Sequence, residues 1–165
     1  MISRNCDPKI PSVLSFGHFE ALGATNVIPS KAILKGTFRT MDEQWREKAL
    51  VQIKSQAEKI ASANGASLDI DISRGYPCLD NDIALTEKLY LKAKGALGSD
   101  NVIDLPIRLT SEDFSFYSQK IPVCFFRLGV RDESKGIVHG VHNSKFDISY
   151  DAIPVGIQMM CLAAI

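Results

Sequence analysis

The sequence predicts an α/β protein in two incomplete parts: an α+β unit over residues 1–75 and a piece of an α/β layer over residues 76–165. Three observations carry this. Residues 12–73 read as two strands, one long amphipathic helix and a third, strictly alternating strand. Residues 76–165 change to an α-β-α-β-loop-α order that includes the near-continuous apolar run PVCFFRLGV (122–130), the pattern of a strand buried on both faces. The turn-rich stretch GYPCLDND (75–82) separates the two.

In the first part, SVLSFGHFE (12–20) combines alternation with β-formers and predicts a strand. LGATNVIPS (22–30) is a loop, and KAILKGTFR (31–39) is a second strand. The short connection favours an antiparallel pair. A helix is expected over 41–64. Thr40 and Glu43 stand at capping-box spacing, and Trp45, Ala49, Ile53, Ala57 and Ile60 fall on one face. Asn64 and Gly65 supply a left-handed stop. SLDIDIS (67–73) then places Leu68, Ile70 and Ile72 on one side of a half-buried strand. The β-β-α-β order becomes a split β-α-β-β-α-β unit if a strand and a helix precede Met1, so truncation is expected.

In the second part, a helix starts near Asn81 or Asp82, runs through Leu85, Leu89 and Ala93, and stops at Gly98. NVIDLPIRL (101–109) is a strand that Pro106 makes irregular or an edge. TSEDFSFYSQK (110–120) predicts a short helix from Ser111. The buried strand 122–130 leads into the polar loop RDESKGIVHGVHNSKFD (131–147). The last helix starts at Asp151, which leaves Pro154 in its first turn. Loops at strand C-termini in such a layer are where sites usually lie.

Composition excludes several functions. Lys plus Arg and Asp plus Glu both number 19, so no electrostatic footprint for nucleic acid or anionic membrane exists. No apolar run approaches the ~18 residues of a membrane span. The opening MISRNCDPKIPSV lacks the apolar centre of a secretory signal. The four cysteines are widely spaced with no CxxC pair, against a zinc ribbon or a thioredoxin-like site. Cys124 and Cys161 read as small buried hydrophobes in a reducing compartment, so a cytoplasmic location is expected.

Few residues suggest chemistry on their own. His139 and His142 share a glycine-flanked loop after the most apolar strand. Each reads as a solvated loop histidine or as a metal ligand, and Gly140 argues against a helical pair. Glu112 and Asp113 follow Ser111 at the expected helix start, where carboxylates meet free N–H groups, or they belong to a site. Asn26 lies in the loop between the two strands and Arg39 near the end of the second. They read as a turn residue and a surface arginine, or as an amide and a guanidinium fork that grip a carboxylate.

Taken in order, SRNCDP, FGHFEALGATNVIPSKAILKGTFRT, GYPCLDND, TSEDFSFYSQKIPVCFFRLGV and VHNSKFDIS resemble the C-terminal part of metal-dependent N-acyl-amino-acid amidohydrolases. These include hippurate hydrolases, indole-acetyl-amino-acid hydrolases and aminoacylase- and carboxypeptidase-like enzymes. The resemblance implies an inserted lid or dimerisation domain, its latter part at 1–75, and the C-terminal portion of an α/β catalytic domain at 76–165. It implies that His142 is a metal ligand, that Asn26 and Arg39 bind the substrate carboxylate, and that Glu112 and Asp113 lie beside the active site. It leaves His18 and His139 without a role. It implies a divalent metal, zinc or manganese, in the intact enzyme, N-acyl amino acids as substrates, and a homodimer formed through the lid. The remaining metal ligands and the general base belong to the family's N-terminal half. The expectation is therefore a chain that binds no metal stably and is inactive alone. A non-enzymatic dimerisation or interaction module, or one half of a split enzyme, is the alternative.

Overall fold

The computed structural model describes residues 2–164, grouped as two units: Met1–Leu79 with Ile107–Phe116, and Asp80–Pro106 with Tyr117–Ile165. After one helical turn, α1 (Ile2–Asn5), the first unit is built on the antiparallel strands β1 (Ser12–Glu20) and β2 (Ile33–Thr40). Their register runs from Ser12↔Thr40 to Phe16↔Gly36, then shifts, and resumes at His18↔Lys35. Gly17 is thus the extra residue of a β-bulge. Gly36 is required where it stands, because a Cβ there would lie 2.5 Å from the Ser15 carbonyl oxygen and 2.7 Å from the Phe16 ring.

One face of this hairpin is apolar, and helix α2 (Glu43–Ala63) covers only one end of it. Trp45 packs edge-on against Phe38 with centroids 6.4 Å apart. Its indole N–H donates to Ser12 Oγ at 3.1 Å, and that hydroxyl shares a 2.8 Å bond with Thr40 Oγ1. The far end is left bare, with Phe16 59% and Phe19 70% exposed.

The cap of α2 corrects the expected capping box. Asp42, not Thr40, accepts from the Trp45 N–H, at 2.6 Å. Thr40 is the last residue of the ladder and its hydroxyl is engaged by Ser12. The Glu43 carboxylate accepts instead from the Cys78 N–H at 2.7 Å and pairs with Arg46 at 2.5 Å. Arg46 also donates to the Tyr76 carbonyl at 2.7 Å, and Arg74 pairs with Glu47, so residues 74–78 are strapped to the start of α2. The stop matches expectation: Gly65 has φ +69°, and its N–H and that of Ala66 donate to the Ser62 and Ala61 carbonyls at 3.1 and 2.9 Å. Of the expected buried face, Trp45 and Ala49 are buried, Ile53 and Ala57 half-buried, and Ile60 exposed.

The second unit pairs α3 (Ile83–Leu97) with α5 (Ala152–Ala164). Asp82 caps α3 by accepting from the Leu85 N–H at 2.8 Å, and Gly98 ends it at φ +87°. Pro154 lies in the first turn of α5, as expected. Leu89, Ala93 and Met159 form the core, with Leu97, Val102, Cys124, Phe126 and Leu162 packed on it. The apolar run 122–130 passes against these helices: a Cβ on Gly156 would stand 3.0 Å from Leu128 Cδ2. Cys161 is exposed on α5, contrary to the expected burial, whereas Met159 and Leu162 of that helix pack into the core.

Three expected strands, 67–73, 101–109 and 122–130, carry no strand ladder. A strand needs a neighbour for its N–H and C=O groups, and among the described residues the one hydrogen-bonded ladder is that of β1 and β2. In the third, side chains substitute in part. The Asn81 amide accepts from the Phe125 N–H at 2.7 Å and donates to its carbonyl at 3.0 Å, while the Asp82 N–H donates to the Val123 carbonyl at 2.8 Å. The α+β class therefore stands on helices and one two-stranded sheet. Among the described residues no helix is long and apolar enough to cross a membrane.

Candidate functional site

Arg39 is the most structured of the expected site residues. It is half-buried near the end of β2, in register with Val13, and alternation turns it to the sheet face opposite Phe38. Its Nη1 donates to the Leu109 carbonyl at 3.1 Å and to Ser111 Oγ at 2.8 Å. Both acceptors lie in the 107–116 segment of the same unit. That segment is also held by Phe116, edge-on to Tyr76 with centroids 5.8 Å apart. Among the described residues, Arg39 bonds through Nη1 alone, and Nε and Nη2 are unengaged. Neither Ser111 nor the Leu109 carbonyl is suggested by the sequence as a site group. They lie 72 and 70 residues from Arg39, and no local pattern encodes that contact.

Asn26 is exposed in a tight turn whose ends, Ala24 and Val27, exchange two backbone bonds of 3.1 Å. Glu112 is half-buried and Asp113 exposed, just before α4 (Ser115–Ser118). The expected start at Ser111 is corrected by four residues. Their backbone carbonyls accept the first bonds of the turn, Glu112 from the Ser115 N–H at 3.2 Å and hydroxyl at 2.5 Å, Asp113 from the Phe116 N–H at 3.0 Å. Ser115 is fully buried, which anchors the turn.

His142 belongs to the second unit and is exposed. It sits in the turn closed by the Asn143 N–H on the Gly140 carbonyl at 3.3 Å. Its φ of +70° is the only positive value among the described non-glycine residues. The base of its loop is polar and fixed. Asp132 and Ile137 exchange two 2.9 Å backbone bonds, and the Ser149 N–H donates to the Val130 carbonyl at 2.9 Å. Ser134 donates its N–H and hydroxyl to Asp132 Oδ1 at 3.1 and 2.7 Å, and Lys135 reaches Asp132 at 3.0 Å and Asp151 at 2.5 Å. The Ser134 bonds, then Lys135, lower the Asp132 pKa to about 2; Asp151 and Asp132 raise that of Lys135.

His139 is exposed in the same loop, and His18 forms an exposed 3.6 Å contact with Glu20 on β1. Among the described residues, no group of three or more His, Cys, Asp or Glu side chains is assembled to hold a metal ion. His142 thus offers one donor, where a bound divalent transition metal takes three or four protein ligands. The described residues do not by themselves fit a dinuclear centre.

Comparison with known proteins identifies the family. The sequence profile of Peptidase family M20/M25/M40 matches residues 6–165. YhaA of Bacillus subtilis, which is named as an amidohydrolase, is 34% identical over the whole chain and 42% of its own length. Thermostable carboxypeptidase 2 of Saccharolobus solfataricus is 31% identical over 99% of the chain and 41% of its own length. A Bacillus subtilis crystal structure, described as a dinuclear metal binding peptidase from the M20 family, superposes with a TM-score of 0.75 at 26% identity, over 93% of this chain and 41% of that one. The chain spans about two fifths of the length of the relatives it matches. With a profile match over nearly all of its residues, the chain belongs to Peptidase family M20/M25/M40.

Proposed function

We propose that this chain supplies the substrate-recognition portion of a metal-dependent amidohydrolase that cleaves the amide bond of N-acyl amino acids or small peptides bearing a free carboxylate. The observation that carries the reading is the Arg39 guanidinium, fixed at Nη1 by Leu109 and Ser111 with its other nitrogens uncommitted among the described residues. A guanidinium held in one plane matches a carboxylate in two parallel hydrogen bonds. The names of two further relatives support the substrate class: IAA-amino acid hydrolase ILR1-like 4 of Arabidopsis thaliana and N-acetyldiaminopimelate deacetylase of Enterococcus faecalis.

In this reading Arg39 and Asn26 bind the carboxylate, and His142 is one zinc or manganese ligand in the assembled enzyme. His142 would hold such a metal only together with ligands from outside this chain, and the group would then contribute Lewis-acid chemistry. Glu112 and Asp113 border the site through the turn they start. A homodimer formed through the hairpin unit belongs to the same reading, supported by the bare apolar end at Phe16 and Phe19.

The test is titration of the chain with N-benzoylglycine and its amide, beside a hydrolysis assay with zinc or manganese. Expected are preferential binding of the acid and no turnover by this chain alone. Equal binding of acid and amide would overturn the carboxylate reading. Stoichiometric metal uptake with turnover would overturn the assignment of a recognition role only.

A further inference from the structure

We infer that Ser111 is the positioning residue for Arg39, making the Nε/Nη2 edge of the guanidinium a side-on receptor for a planar carboxylate. This rests on the carboxylate reading of Arg39 and goes beyond it, because neither the sequence nor the similarity gives Ser111 a role. Nη1 carries two hydrogens, and two acceptors receive them: the Leu109 carbonyl at 3.1 Å and Ser111 Oγ at 2.8 Å. Two fixed acceptors on one nitrogen set both the plane and the rotation of the group. The Nε–H and the nearer Nη2–H then remain as parallel donors on the opposite edge, the pair that accepts a carboxylate bidentately. A carboxamide has only one oxygen to offer them, so the edge discriminates by chemistry as well as by charge.

The acceptors are themselves held. Ser111 lies between Leu109 and the α4 turn, whose start is fixed by the buried Ser115 on the Glu112 carbonyl and by Phe116 on Tyr76. A flexible arginine would have to be ordered at the moment of binding. Here its ordering is built into the fold, which favours affinity.

The experiment uses the full chain and three variants: Ser111→Ala, Ser111→Thr and Arg39→Gln. Calorimetric titration with N-benzoylglycine and its amide gives the acid-to-amide preference, and side-chain ¹⁵N NMR of Arg39 reports rotation of the guanidinium. In the unaltered chain, restricted rotation and a preference of about tenfold are expected. Ser111→Ala should free the rotation and lower the preference by about threefold or more. Ser111→Thr, which keeps the hydroxyl, should restore both. A merely structural serine would alter folding but not the ratio between two ligands. If Arg39→Gln abolishes the preference and Ser111→Ala leaves it intact, the positioning role is overturned while the carboxylate reading survives. If Arg39→Gln leaves the preference intact, the carboxylate reading fails and takes this inference with it.

Discussion

His142 holds a conformation that suits glycine better than any L residue. A non-glycine residue in this region costs about 1–3 kcal/mol. His142→Gly should therefore raise the stability measured by urea denaturation, by up to about 1 kcal/mol once the extra freedom of the unfolded chain is subtracted. His142→Val should lower it by about 1–2 kcal/mol, since β-branching worsens the strain. A His142→Gly variant less stable than the parent would show that the imidazole contributes more than its backbone costs. Gly36 is the converse case. Its missing Cβ leaves room for the Ser15 carbonyl and the Phe16 ring, so Gly36→Ala should destabilise the hairpin by about 1–3 kcal/mol, read from the same denaturation midpoint. The histidine was legible as a candidate in the sequence; its strain was not, because φ depends on the turn that Gly140 and Asn143 close.

Helix boundaries show where local patterns compete. Thr40 and Glu43 have capping-box spacing, yet the hydroxyl of Thr40 binds Ser12, 28 residues away, and the cap falls to Asp42. Asp42→Ala should cost about 1 kcal/mol of stability and fray the first turn of α2, whereas Thr40→Ala should leave that turn intact. Amide hydrogen exchange at Trp45 distinguishes the two. The loop that carries His142 has its own pH signature. Asp132 loses its proton more readily when folded than its ordinary 3.8, so its contribution is complete above that value and disappears as pH falls through about 2. Lys135 acts at the opposite limb: its pKa is raised, so its contribution holds below about 10.5 and is lost as pH rises beyond it. Asp132→Asn should flatten the acid limb of denaturation curves taken between pH 5 and pH 2. The effect should shrink in high salt, because Lys135 is exposed to solvent and Asp132 is only half-buried.

At the scale of the whole molecule, the described residues bury few apolar side chains. Trp45 and Ala49 serve the first unit; Leu89, Ala93, Val123, Ala152 and Met159 serve the second. Phe16, Phe19 and Leu34 on the hairpin, and Ile153, Ile157 and Met160 on α5, face solvent. Apolar faces of this kind drive association. The chain is expected to self-associate, giving a mass above 18.1 kDa in sedimentation at high concentration; a monodisperse monomer would contradict this.

Helices α2, α3 and α5 and the hairpin were legible because their signals are local. Alternation over 12–20, the 3.6-residue stripe through Trp45 and Ala49, Asp82 before α3, Gly65 and Gly98 after their helices, and Pro154 near a helix start each act within a turn or two of the chain. The motif order likewise sufficed to reach the family. Apolar alternation in 67–73 and the run 122–130 describe residues willing to be strands, but a ladder needs a second backbone, and that is a tertiary fact. Only the fold brings Ser111 and the Leu109 carbonyl to one nitrogen of Arg39, because hydrogen bonds across some 70 residues leave no periodic trace in a sequence.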